Sequence, residues 1–187
     1  MIDRIAAEEL IGQRLSPRRR EHSRRVADTA AALARDWGAS PAAAYLAGVL
    51  HDLWREASAT EILEAAVRYG IPVGPIEARR PVGLLHGPVA AAELRGAGLD
   101  DEVASAIALH TVGGRGMNVL EKCVYLADLC EPGRTFDGLD EIRALAGVSL
   151  DAAVAAAARL TILMLLERGR PVVPAAVELY NEHYVDS

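Results

Sequence analysis

EHSRRVADTAAALARDW, residues 21–37, carries apolar side chains at Val26, Ala30, Leu33 and Trp37. Steps of three and four residues stack them on one face of an α-helix, the face such a helix buries. Four residues before Val26 the same stripe reaches His22. The pattern recurs downstream. In LAGVLHD, residues 46–52, Leu46 and Leu50 lead into the pair His51-Asp52; in EVASAIALH, 102–110, Val103 and Ile107 lead to His110; in LEKCVYLAD, 120–128, Leu120, Val124 and Ala127 lead to Asp128. Buried helix faces that each end on a histidine or a carboxylate decide both the fold class and the place to look for chemistry.

Composition agrees with helices. Residues of the apolar class make up 51% of the 187-residue chain but aromatics only 4%, and the apolar residues do not alternate as a half-buried strand requires. Helix punctuation is frequent. Ser16-Pro17 and Ser40-Pro41 read as N-caps with proline at the first helical position, Ser58 with Glu61 as a capping box, and Gly38, Gly70 and Gly169 as stops. The reading predicts helices near 3–14, 17–37, 41–54, 59–69, 88–96, 101–111, 118–129, 138–146, 150–168 and 174–184. IPVGPIEARRPVGLL, 71–85, holds three prolines and is predicted to be irregular, delivering the chain to His86. The class is all-α, a helical bundle. With no linker, repeat or composition break, residues 1–187 are expected to form one domain whose C-terminal helices, 150–184, complete the fold. LTILMLL, 160–166, either joins the core or forms a homodimer interface.

A formal charge of −6 argues against a nucleic-acid surface, which needs a net basic face. The run Arg18–Arg20 with Arg24 and Arg25 reads first as a solvated helix face. Cys123 and Cys130, seven apart, fit buried thiols better than a disulfide or a zinc site. The acidic N-terminus has no secretory h-region and no apolar run is long enough to span a bilayer, so a cytoplasmic location is expected.

Taken singly, each histidine reads as a hydrogen-bonded core residue, and Asp128 as a partner for Lys122 or an arginine. Jointly, His22, His51, Asp52, His86, His110 and Asp128 would each need a separate buried partner, whereas metal ions satisfy all of them. His183, near the C-terminus, has no such context.

With these residues placed, the chain resembles the HD-domain metal phosphohydrolases. EHSRRV (21–26), AGVLHD (47–52), LLHGPVAA (84–91), ALHTVG (108–113) and LEKCVYLADLCEPGRTFDGLDEIR (120–143) are similar to the YqeK group within them. The resemblance implies symmetrical hydrolysis of dinucleoside tetraphosphates, with diadenosine tetraphosphate giving two ADP. It also implies two metals, commonly iron, although a nitrogen and oxygen ligand set equally suits Mn, Co or Zn. By motif position His22, His51, Asp52 and Asp128 would hold one ion, and His86 and His110 the other, with Asp52 bridging. Asp52 and Arg55 would serve catalysis; Arg25, Arg55, Thr111, Gly113, Arg115 and Arg134 would contact substrate. The chain departs from the group at Arg55, where lysine is usual, and in HTVGGR, 110–115, which sets Arg115 one residue late. Trp54 reads mainly as a core residue, with base stacking the lesser alternative. The competing readings are another HD-type nucleotide phosphohydrolase and a non-catalytic sensor of nucleoside diphosphates.

Overall fold

Capping chemistry sets the helix starts. In the computed structural model, which describes residues 2–185 and the side chains of residues 2–183, Ser16 caps α2 (Pro17–Asp36) and Ser40 caps α3 (Pro41–Leu50), each with its proline in the first turn. Ser58 and Glu61 close a reciprocal capping box on α4 (Ala59–Arg68), and Asn118 and Glu121 do the same on α8 (Val119–Cys130). The remaining helices are α1 (Arg4–Arg14), α5 (Pro75–Arg79), α6 (Pro81–Gly96), α7 (Asp101–Leu109), α9 (Leu139–Ala146), α10 (Leu150–Glu167) and α11 (Pro174–Val185). The fold is all-α, and among the described residues no helix is long and apolar enough to cross a membrane.

The central helix is α8. Leu120, Cys123, Val124, Tyr125, Leu126 and Ala127 are buried along it, and α2, α3, α7, α9 and α10 pack around it. One apolar core runs from α1 to α11, and a smaller cluster of Ile62, Ala65, Ala66, Leu85 and Val89 lies between α4 and α6. Both cysteines are buried and free.

Two glycines bring helices closer than a side chain allows. A Cβ on Gly48 would lie 2.6 Å from the Cα of Ala27, so α2 and α3 meet backbone to backbone. A Cβ on Gly87 would lie 2.8 Å from the Ile107 carbonyl and 3.0 Å from His110 Cε1, so α6 and α7 do likewise. The first approach joins the helices that carry His22 and His51, the second those that carry His86 and His110.

The irregular stretch expected at 71–85 is corrected. Residues 75–79 and 81–96 are helical, and His86 lies inside α6 rather than ahead of a helix at 88. Pro75 and Pro81 occupy first-turn positions, where a missing N–H costs nothing. Pro88 sits within α6 and cannot donate back to Leu84, a local loss that burial of Leu85, Val89, Ala90 and Ala91 offsets. Two helices also end earlier than expected, at Leu50 and Leu109, leaving His51 and His110 as their C-caps.

Candidate metal centre

These two C-caps share one device. His51 Nδ1 lies 2.7 Å from the carbonyl of Gly48, and His110 Nδ1 lies 2.7 Å from that of Ile107, three residues back in each case. A carbonyl only accepts, so Nδ1 carries the proton and Nε2 points away from the helix end. His22, from the first turns of α2, is fixed by a carboxylate instead, with Nδ1 3.1 Å from Glu131 Oε1.

The Nε2 atoms converge on two acids. Asp52 Oδ2 lies 3.3 Å from His51 Nε2 and 3.7 Å from His22 Nε2, while Oδ1 lies 3.2 Å from His86 Nε2. Asp128 Oδ1 lies 3.0 Å from His22 Nε2 and 3.8 Å from His51 Nε2. His86 and His110 face each other with 3.0 Å between their Nε2 atoms. All six candidate ligands of the sequence reading are therefore brought together.

The two acids of this cluster are held ionised. Burial alone would raise the pKa of Asp52, but His51 and His86 hold it well below the usual carboxylate range. Burial also acts against ionisation of Asp128, and His22 and His51 overcome it. For His51, burial opposes protonation while Asp52 and Asp128 attract positive charge strongly enough to raise its pKa. His110 is the opposite case, pushed down to about 3 by burial and by His51 and His86.

A cation fits these donors. His22 Nε2 and His51 Nε2 are buried and make no hydrogen bond, although ionised carboxylates lie beside them. One ligand atom each from His22, His51 and Asp128 lie mutually within 4.8 Å, as do atoms from His51, Asp52 and His110. Nitrogen and carboxylate oxygen in such triads are the donors of first-row transition metals. His183, in α11, belongs to neither triad.

The EPGR segment after α8 supports the centre, and its first residue escaped the sequence reading. Glu131 is 1% exposed. Besides His22 it takes Arg25 Nε at 2.6 Å and the Gly133 N–H at 2.6 Å. Its pKa is lowered to about 2, since Arg25, Gly133 and His22 outweigh the burial that would raise it. A Cβ on Gly133 would sit 2.8 Å from Arg25 Nη2 and 2.9 Å from Glu131 Oε2, so glycine keeps this cradle open. Arg134 reaches back to Asp128 Oδ1 at 2.8 Å.

The other expected substrate residues divide. Arg55 and Thr111 line a cleft of about 210 Å³ beside the centre, with Arg80, Tyr125, Thr161 and Leu165. Thr111 Oγ1 lies 2.9 Å from His110 Nε2 and 3.4 Å from His86 Nε2, which joins cleft to centre. Gly113 is buried at φ 70° and packs on Leu179 and Tyr125. Arg115 is exposed and makes no hydrogen bond among the described residues. Arg25 is engaged by Glu131. Two further arginines were missed: Arg19, whose Nη1 lies 2.7 Å from Asp52 Oδ2, and Arg80, in the cleft with no side-chain hydrogen bond or ion pair among the described residues. A solvated-face reading of 18–20 hid the first and a breaker reading of 71–85 the second. Trp54 takes its core alternative: its indole N–H donates to Glu93, and Arg14 lies over its ring at 5.6 Å.

Comparison with known proteins agrees with this arrangement. The HD domain family model matches residues 19–133. Proteins named symmetrical bis(5'-nucleosyl)-tetraphosphatase are similar over nearly their whole length: that of Bacillus subtilis is 35% identical over 96% of this chain and 97% of its own. The protein from Staphylococcus aureus is 34% identical over 94% and 91%, and that from Halalkalibacterium halodurans 33% over 97% and 97%. A crystal structure from Clostridium acetobutylicum, described as a predicted HD superfamily hydrolase involved in NAD metabolism, superposes with a TM-score of 0.94 at 31% identity, covering all of both chains. The matched family span encloses every histidine and aspartate of the buried cluster, and the chain belongs to the HD domain family.

Proposed function

We propose that this chain hydrolyses dinucleoside tetraphosphates symmetrically, with diadenosine tetraphosphate giving two ADP. The activity named for the full-length relatives supports the reading. The observation that carries it is the divided carboxylate of Asp52, one oxygen toward His22 and His51 and the other toward His86.

In this reading His22, His51, Asp52 and Asp128 would hold one metal ion, and His86 and His110 a second that Asp52 would also serve. Fe, Mn, Co or Zn suits the donors, with iron favoured by the family resemblance. Bound there, the ions lower the pKa of water toward neutrality and neutralise charge on phosphoryl oxygens.

The side chains around the centre bind and orient the phosphate chain. Arg55, half-buried and tethered to the Val82 carbonyl at 3.1 Å, presents its guanidinium from the cleft side, 3.9 Å from Asp52 Oδ1. Arg19 and Arg134 approach from α2 and from the segment after α8, each within 2.8 Å of a candidate ligand carboxylate. A guanidinium engages two phosphate oxygens at once, so this ring suits a polyphosphate better than a monoester. Arg80 adds a free cation to the cleft, whose apolar wall of Tyr125, Leu165 and Val173 suits a nucleoside. The Thr111 hydroxyl stands between cleft and centre, placed to donate to a phosphoryl oxygen.

The test is product identity. With diadenosine tetraphosphate and the metal-loaded protein, chromatography is expected to give ADP alone. AMP with ATP would overturn the symmetrical assignment, and an intact substrate beside turnover of another nucleotide would favour a different HD phosphohydrolase.

A further inference from the structure

The turn that carries Thr111 has little order of its own. HTVGGRG, residues 110–116, holds three glycines. Gly113 and Gly116 take φ of 70° and 73°, the left-handed region that glycine enters freely. Glycine also loses the most conformational entropy on ordering, so such a turn keeps one shape only where partners hold it. Near its start the Gly113 N–H donates to the Leu109 carbonyl at 2.7 Å. Beyond its end the chain passes through buried Met117 to Asn118, the N-cap of α8.

Between these ends α11 supplies the anchors. Leu179, 1% exposed, covers Gly113 so closely that a Cβ there has no room. Three residues on, half-buried Glu182 accepts the Gly116 N–H with both carboxylate oxygens at 3.0 Å. At the other end of the same helix Ala176, with Val173 just before it, lines the cleft. One element therefore forms the cleft wall and holds the turn beside it.

Thr111 is what this anchor has to place. Its hydroxyl lies against His110 and His86, and a group that serves a phosphoryl oxygen must be held to within about 0.5 Å. The neighbouring His110 ring is fixed separately, by the Ile107 carbonyl and by the close approach of Gly87. Loosening the turn should therefore move Thr111 and leave the ring in place.

We propose that Glu182 is a positioning residue, whose hold on the Gly116 N–H sets the turn so that the Thr111 hydroxyl meets the phosphate chain of the substrate. The role of Thr111 rests on the hydrolase reading; the anchoring of the turn does not.

Hydrogen exchange of the full chain, without substrate, reads the anchor. Glu182→Ala should speed exchange across 111–116, while Glu182→Gln, whose side-chain carbonyl still accepts the N–H, should leave it near wild type. Metal content should be the same in all three proteins. Turnover of diadenosine tetraphosphate reads the consequence. Glu182→Ala should lower kcat about tenfold and Glu182→Gln no more than about threefold. In a Thr111→Val background Glu182→Ala should cost less than about twofold more, because residues that act through one another do not add. Circular dichroism checks that each variant is folded. Exchange indifferent to Glu182→Ala, a glutamine variant as impaired as the alanine one, or fully additive losses in the double variant would each overturn the proposal. A wild type that leaves the tetraphosphate intact would instead overturn the hydrolase reading and, with it, the role given to Thr111.

Discussion

Asp52→Ala is expected to lower hydrolysis of diadenosine tetraphosphate on the order of 10³-fold or more and to weaken both metal positions together. The carboxylate is 3% exposed, and its two oxygens serve different histidines. Its loss leaves His22, His51 and His86 sharing one cavity with no bridging anion, and it frees Arg19 from its 2.7 Å ion pair. In the proposed reading the two positions share this ligand and fall together, so metal analysis after dialysis should show both ions reduced. Arg55→Ala is the contrast. Its guanidinium lies 3.9 Å from Asp52, outside the donor triads, and the variant should keep its metal while turnover falls or KM rises. Full activity with undiminished metal in Asp52→Ala would refute the bridging role.

Glu131→Gln is expected to weaken the ion at His22 by ~10–100-fold while leaving the His86–His110 position occupied. The two Glu131 oxygens are surrounded only by donors: His22 Nδ1, Arg25 Nε and Nη2, and the Gly133 N–H. An amide of the same size must turn its NH2 toward one of them. If that is His22, the ring loses the acceptor that fixes its proton on Nδ1, and Nε2 is no longer held as the free donor. The visible spectrum of the cobalt-substituted protein reports this change independently of turnover. Acid stability supplies a second reading. With a folded pKa of about 2 against about 4.3 unfolded, Glu131 contributes stability that is complete above the unfolded value and is lost as pH falls through the folded one. Denaturant unfolding between those pH values should therefore be flatter for Glu131→Gln than for the wild type. An unchanged cobalt spectrum and unchanged metal affinity would show that Glu131 only packs.

The class, the helices other than α5 and the six converging residues were legible in sequence because each rests on a local rule. Ser16-Pro17, Ser40-Pro41 and Ser58 with Glu61 announce helices whichever way the chain folds, and the stripes ending at His22, His51, His110 and Asp128 name the buried faces. What failed was also physical. Three prolines in 71–85 read as breakers, but Pro75 and Pro81 stand in first turns and only Pro72 lies outside a helix; Pro88, further on, is carried by a helix whose next residues are buried. His51 and His110 were placed inside helices, and periodicity cannot tell a last helical residue from a C-cap whose ring binds the carbonyl three back. Glu131 and Arg19 have no local mark. Their roles come from partners 109 and 33 residues away, brought near by the packing of α2 against α8 and α3. Arg25, expected at the substrate, has a partner the sequence did not announce, Glu131.

The most direct test of the central claim is the number of metal ions per chain. After purification under reducing, low-oxygen conditions, or loading with iron or manganese and dialysis, plasma mass spectrometry should find about two ions per chain. A single ion would contradict the bridged pair, and none after loading would make the histidine and aspartate cluster a structural network alone.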